Sequence, residues 1–270
     1  MRKLFFNLYF WLAFSVVTLA GVTLIPVIVL VTAFIPGRSS GSATRRAIRL
    51  YGWVLVCIVP FGALVRVEKK GRKLHCPAIF VANHNSAIDP YLFGALPIEN
   101  CFITSWPFKI PIYGPLMRLA GYINAEEGWT MLREKGEKRL AGGTSLTIWP
   151  EGHRSRNGRL GRFKKGAFAL AVQTGYPVVP VSILGSGTVL SPGERLLNPG
   201  RVKLIIHEPV YPASHGDEQQ RVSALRNEVR QIIEKSLRAN HHFSAAAETG
   251  QNSKEFAVSD CHGSRQHGPV

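Results

Sequence analysis

The sequence predicts an α/β domain, a mixed, largely parallel sheet flanked by helices, behind an amino-terminal membrane-embedded helical segment. Three observations carry this. Short apolar runs alternate with helix-compatible stretches between residues 67 and 239, the pattern of strands joined by crossovers. Residues 4–36 form a run of 33 without a charge, although about 20 helical residues cross a bilayer core. A hydrophobic content of 46% with 19% charged residues excludes a wholly disordered chain. The expected organisation is a membrane-anchoring segment (1–66), an α/β domain (67–239) and a disordered tail (240–270).

Taken in order, the first apolar run is interrupted by Gly21 and Pro26 and is too long for a cleaved signal peptide, so a retained anchor is expected. A basic stretch follows, with Arg38, Arg45, Arg46 and Arg49 among Gly and Ser. Its charge predicts a loop on the cytoplasmic side of an inner or plasma membrane, able to meet anionic headgroups or serving only to set topology. The second uncharged run, 50–65, is short for a span and suits a re-entrant or interfacial segment. Strands are expected at 78–83, 101–105, 145–149, 177–184 and 201–207, and helices at 86–96, 115–120 and 128–140. In 218–238, Val222, Leu225, Val229, Ile232, Ile233 and Leu237 recur at helical spacing, which predicts a helix packed on the domain or lying on a membrane or partner. No repeat is visible.

Lys and Arg total 33 against 17 Asp and Glu, a net charge of +16 that suits an anionic membrane surface, a phosphorylated substrate or nucleic acid. No nucleic-acid recognition motif is present, and nucleic acid does not account for the apolar amino terminus. Cys57, Cys76, Cys101 and Cys261 make neither a C-x-x-C pair nor a disulfide framework. The tail histidines His241, His242, His262 and His267 are too scattered for a metal site. Neither a metal nor a bound cofactor is expected.

Two segments carry chemistry. NHNSAIDP (83–90) follows an expected strand and sets His84 five residues before Asp89. At a strand-to-helix junction the carboxylate can reach the ring, fix its tautomer and leave the other nitrogen to take a proton from a hydroxyl. Equally, Asp89 can cap a helical turn while His84 bonds a loop carbonyl. WPEGHRS (149–155), followed by FKKGAF (163–168), also leaves a strand, and ligands bind beyond the carboxyl ends of strands in such sheets. Arg154 can fork to phosphate, and Lys164 and Lys165 add positive charge, or the whole is a solvated basic loop.

Together these segments resemble the phospholipid/glycerol acyltransferases, the lysophosphatidic-acid acyltransferase family. NHNSAIDP is similar to that family's His, four residues, Asp block, and WPEGHRS with FKKGAF to its Phe-Pro-Glu-Gly-Thr-Arg-Ser block. YPVVPVSI (176–183) and FKIPIYGPLMRLAGYI (108–123) are also family-like, and the likeness covers roughly residues 73–212. The resemblance implies transfer of a fatty acyl group from an acyl thioester, on coenzyme A or acyl carrier protein, to the free hydroxyl of a lysolipid, most simply 1-acylglycerol 3-phosphate. It implies His84 as general base and Asp89 as its orienting partner. Glu151, Gly152, Arg154 and Lys164 would shape the substrate side, with backbone amides near Gly152 or Asn85 holding the oxyanion.

The chain departs from the pattern where cations associated with the acceptor phosphate are expected: Thr104 stands near one and Glu127 at the other. A carboxylate repels phosphate, so a different lysophospholipid, or a lyso-aminolipid such as a lyso-ornithine lipid that welcomes Glu126 or Glu127, is the alternative acceptor. Arg118 or Lys109 is the alternative source of the missing positive charge. His153 replaces the family's Thr and is expected as a polar wall. Two readings of other classes stay open: a hydrolase using Ser86, though the G-x-S-x-G elbow is lacking, and a non-catalytic protein that binds membrane surfaces.

Overall fold

The computed structural model describes residues 2–35, 39–58, 63–70, 77–240 and 243. Of the expected tail, only Asn240 and Phe243 fall within this set, and Arg38, Cys76, Cys261 and the four tail histidines lie outside it.

Helix α1 (Arg2–Ala33) and helix α2 (Ser40–Trp53) lead through a π-helical turn (Val54–Ile58) into strand β1 (Ala63–Lys69). There follow β2 (Ile79–Ala82), α3 (Asp89–Leu92), β3 (Asn100–Thr104), α4 (Tyr113–Leu119), β4 (Ile123–Asn124), α5 (Trp129–Ala141), β5 (Ser145–Ile148), α6 (Gly166–Thr174), β6 (Val178–Leu184), α7 (Ser186–Val189), β7 (Gly200–Ile206) and α8 (Glu218–Ala239). The strands make one seven-stranded sheet in the order β1-β7-β6-β2-β5-β3-β4. Among the described strands only β6 and β7 pair antiparallel, so the sheet is mixed and largely parallel, as the sequence predicts.

Alternation along each strand splits the core into two layers. Ile79 and Val81 of β2 join Leu132 and Leu140 of α5, Phe168 and Leu170 of α6, and Leu225, Val229 and Ile233 of α8. Phe80 and Ala82 face the other way, onto Phe10 of α1, Leu92 of α3, Phe93, Trp149 and Leu190. With both faces covered, β6 (VVPVSIL) is buried at every position, which is why it reads as one apolar run. Helix α8 packs on β6 and α6 through Val222, Leu225, Val229 and Ile233, and Asp217 caps it by accepting from the Gln220 N–H at 3.0 Å.

The amino-terminal part holds the differences from expectation. The basic stretch forms α2 rather than a loop, and Arg45 is buried in it. Its guanidinium donates to Glu99 Oε1 (2.5 Å) and to the Ala120 carbonyl (2.8 Å). Burial works to raise the Glu99 carboxyl, but the hydrogen bonds from Arg45 and Ser42 and the charges of Arg45 and Arg46 together outweigh it and hold that pKa below the usual range. Of the second uncharged run, residues 59–62 lie outside the described residues, and the rest divides between the end of α2, the π-helical turn and the start of β1. Helix α1 is long and apolar enough to cross a membrane. One flank is tied to the domain: Asn7 donates to the Leu197 carbonyl (3.0 Å) and accepts from its N–H (2.8 Å), and Thr18 bonds Tyr51 of α2 at 2.7 Å.

Candidate active site

Strands β2 and β5 are parallel neighbours, so the loops leaving them emerge at the same edge, and these are the two segments the sequence marks. Asn83 pins the first loop to β6: its side chain donates to the Ile183 carbonyl (2.9 Å) and accepts the Ile183 N–H (2.7 Å). Glu151 joins the loops. It is buried, with Oε1 accepting the His84 N–H (2.9 Å) and Oε2 the Gly161 N–H (2.8 Å). The Ser155 N–H returns a bond to the His84 carbonyl at 2.7 Å.

The His84 ring is held from below. Its Nδ1 lies 2.7 Å from Asp89 Oδ2, and the same oxygen accepts the Asn85 and Ser86 N–H groups at 2.8 and 2.9 Å. Asp89 is fully buried, so this anchor is shielded from water. With Nδ1–H donating to the carboxylate, Nε2 carries the lone pair. Among the described residues Nε2 has no hydrogen-bond partner. The ring packs against Trp149 with centroids 5.1 Å apart and planes tilted by 34°, and the Trp149 Nε1 is buried without a partner among the described residues. Ser86 is fully buried and donates its hydroxyl to the Leu190 carbonyl at 2.7 Å, so it is not aimed at His84. The Asn85 and Gly152 amides, expected to serve an oxyanion, are already bonded to Asp89 and to the Trp149 carbonyl.

His84 opens on a cleft of about 290 Å³ running between α1, α2 and the sheet. Apart from His84, Arg45, Arg49 and Arg154, its walls are apolar, aromatic or neutral polar, with Phe93, Phe102, Tyr122 and Trp149 on the domain side. Tyr51 and Tyr91 face it, and burial pushes both phenols far above their ordinary pKa, so they stay neutral. Thr104 and Arg154 line the cleft with His84. Glu151 lies behind the His84 loop. Gly152 is left-handed (φ +77°), and a Cβ there would come 2.6 Å from Lys164 Nζ, so the glycine lets that lysine cross the loop outside the cleft lining. Glu127 pairs with Lys135 and Glu126 with Lys109 at 2.7 Å, and neither carboxylate lines the cleft. His153 is exposed and also lies outside that lining. Among the described residues no group of three His, Cys, Asp or Glu could hold a metal ion.

Sequence reasoning misses Asn83 and the clamping bonds of Glu151, because their partners are backbone groups distant in sequence. It also misses the walls that α1 and α2 contribute.

Residues 65–184 match the family model described as Acyltransferase. The chain is 35% identical over 195 residues to the chloroplast 1-acyl-sn-glycerol-3-phosphate acyltransferase of Arabidopsis thaliana, covering 68% of this chain and 52% of the relative. It is 30% identical over 181 residues to the human 1-acyl-sn-glycerol-3-phosphate acyltransferase beta, covering 63% and 64%. It therefore spans about half the length of the plant relatives it matches. The crystal structure of the 1-acyl-sn-glycerophosphate acyltransferase PlsC of Thermotoga maritima superposes with a TM-score of 0.72 at 27% identity, over 89% of this chain and 96% of that one.

Proposed function

From the match of residues 65–184 to the Acyltransferase family model we propose that the protein is a membrane-bound O-acyltransferase that esterifies the free hydroxyl of 1-acyl-sn-glycerol 3-phosphate to give phosphatidate. What supports this most is the 2.7 Å contact between His84 Nδ1 and Asp89 Oδ2, with the ring's other side on a largely apolar cleft.

In this mechanism His84 Nε2 takes the proton of the acceptor hydroxyl as its oxygen attacks the carbonyl carbon of the acyl thioester. Asp89 holds the ring and balances the imidazolium that forms. The tetrahedral intermediate then breaks its carbon–sulfur bond, and the departing thiolate of coenzyme A or acyl carrier protein recovers the proton from His84. The thioester is already activated, so the step needs neither metal nor cofactor. Arg154, at the cleft mouth, meets the acceptor phosphate. Glu126 and Glu127, which would have welcomed an amine headgroup, are each paired with a lysine; this favours the phosphate over a lyso-aminolipid. Helix α1 sits in the bilayer, and the exposed Arg46 of α2 favours the cytoplasmic side.

The test uses the full chain in vesicles, a labelled acyl thioester and acceptors with phosphate, phosphodiester and amine headgroups. His84→Ala and Asp89→Asn should each lower transfer about 10²- to 10⁴-fold while vesicle binding is kept. Substantial transfer by His84→Ala overturns the mechanism. Fatty acid released without acceptor points to a hydrolase, and lipid binding without thioester consumption to a non-catalytic protein.

A further inference from the structure

Acyl transfer brings two hydrocarbon chains to one imidazole, that of the thioester and that already carried by the lysolipid. A second apolar cleft, of about 200 Å³, lies beside the first. Phe10, Trp11 and Phe14 of α1 close it on one side, and Val56 and Val65 on another. The two clefts share Ala87, Tyr91 and Trp106, so they meet at one wall, Ala87 being three residues on from His84. Among the described residues no charged side chain lines the second cleft, and the phenol that does, Tyr91, is buried and neutral. Such a lining offers nothing to a headgroup and suits hydrocarbon, each methylene removed from water contributing about 0.8 kcal/mol.

Which chain goes where follows from the chemistry. The donor chain begins at the carbonyl carbon under attack, so it must leave directly into the cleft that contains His84. The acceptor chain begins several bonds from the attacking hydroxyl, beyond the glycerol carbon and the existing ester. Its slot must start near His84 without including it, which is how the second cleft lies. We infer that this second cleft, between the amino-terminal half of α1 and the turn ahead of β1, holds the fatty chain of the acceptor lysolipid. The inference rests on the acyl-transfer reading above.

The experiment measures transfer by the full chain in vesicles to hexadecanoyl and hexanoyl lysophosphatidate with a fixed donor, then varies the donor chain with a fixed acceptor. Val56→Trp, which fills the second cleft, should raise KM for the hexadecanoyl acceptor about tenfold. It should leave kcat, the hexanoyl acceptor and the donor-chain profile unchanged. Trp11→Ala, at a position 40% exposed on α1 and so tolerant of change, should erase the preference for the longer acceptor even if Val56→Trp does not fold. Val22→Trp, in the first cleft, should alter the donor profile alone. An unchanged acceptor KM in both second-cleft variants, or a shift in their donor profile, overturns the assignment. A wild-type chain that transfers nothing to either acceptor removes the acyl-transfer reading itself, which is a separate outcome.

Discussion

One oxygen of Asp89 accepts three donors, the His84 ring and two backbone amides. One oxygen therefore both closes the loop ahead of α3 and orients the imidazole, while the helix itself has no side-chain cap. The five-residue spacing of His84 and Asp89 was legible because both partners are local. Glu151 was legible as an ionisable group in a loop and, through the resemblance, as part of the substrate side; its bonds to the amides of His84 and Gly161 were not, because backbone amides leave no mark on residue type. His207 is a further case. Burial pushes its pKa down to about 4, Lys70 adds to this, and Glu68 opposes it, while the ring bonds Ser182 at 2.9 Å. The unfolded chain binds this proton near pH 6.5 and the folded chain only near 4. Between those values the unfolded state holds more protons, so the contribution of His207 is intact above pH 6.5 and is lost as pH falls toward 4. Allowing for partial solvent screening, the loss is about 2 kcal/mol. Denaturant unfolding in detergent at about pH 7 and pH 4 should show wild type losing that much more than His207→Gln. Equal losses would clear His207 of the effect.

Among the elements, the strands were legible because burial on both faces writes itself as apolar runs closed by polar residues or Pro150. The helix expected from residue 86 begins only at Asp89, with Pro90 in its first turn, since residues 83–88 are committed to the loop around Asp89. Helix α2 was hidden because arginine, glycine and serine read as a loop. What makes it a helix against the domain is tertiary: Arg45 finds Glu99, and Gly52 lies against Gly94. A Cβ on Gly94 would come 2.4 Å from the Trp53 nitrogen, 2.5 Å from the Gly52 carbonyl carbon and 2.9 Å from the Arg49 oxygen. These are backbone atoms, and no side-chain rotation relieves the clash. Gly94→Ala should therefore destabilise by about 3 kcal/mol or more and displace α2 from the cleft it walls. A thermal melt alongside Gly166→Ala, whose nearest neighbour would be Trp129 at 3.7 Å, makes the comparison. Gly166→Ala should change stability by less than about 1 kcal/mol in either direction. If the two melt alike, close packing of α2 is not what holds it.

At the scale of the whole molecule the proposed attachment to a bilayer rests on two forces that respond differently to salt. The net charge of +16 favours anionic lipid, at about 1 kcal/mol for each basic residue near the surface. The outward side of α1 and the turn that follows it expose Leu4, Phe5, Leu8, Leu12, Leu19, Leu30 and Phe34, each 62% exposed or more. Large apolar side chains of this kind gain about 1.5–3 kcal/mol apiece on full burial. Seven such groups give a term of the same order as the charge term, and they are indifferent to ionic strength, whereas a Debye length near 3 Å at about 1 M salt removes most of the attraction between exposed charges. Flotation with neutral phosphatidylcholine vesicles should therefore recover the protein at both low and about 1 M salt. Adding phosphatidylserine should strengthen capture at low salt only. Release from both vesicle types by salt would mean that α1 is not embedded. Both clefts would then open to water rather than lipid, and a route for hydrocarbon chains to His84 would be lost with the anchor.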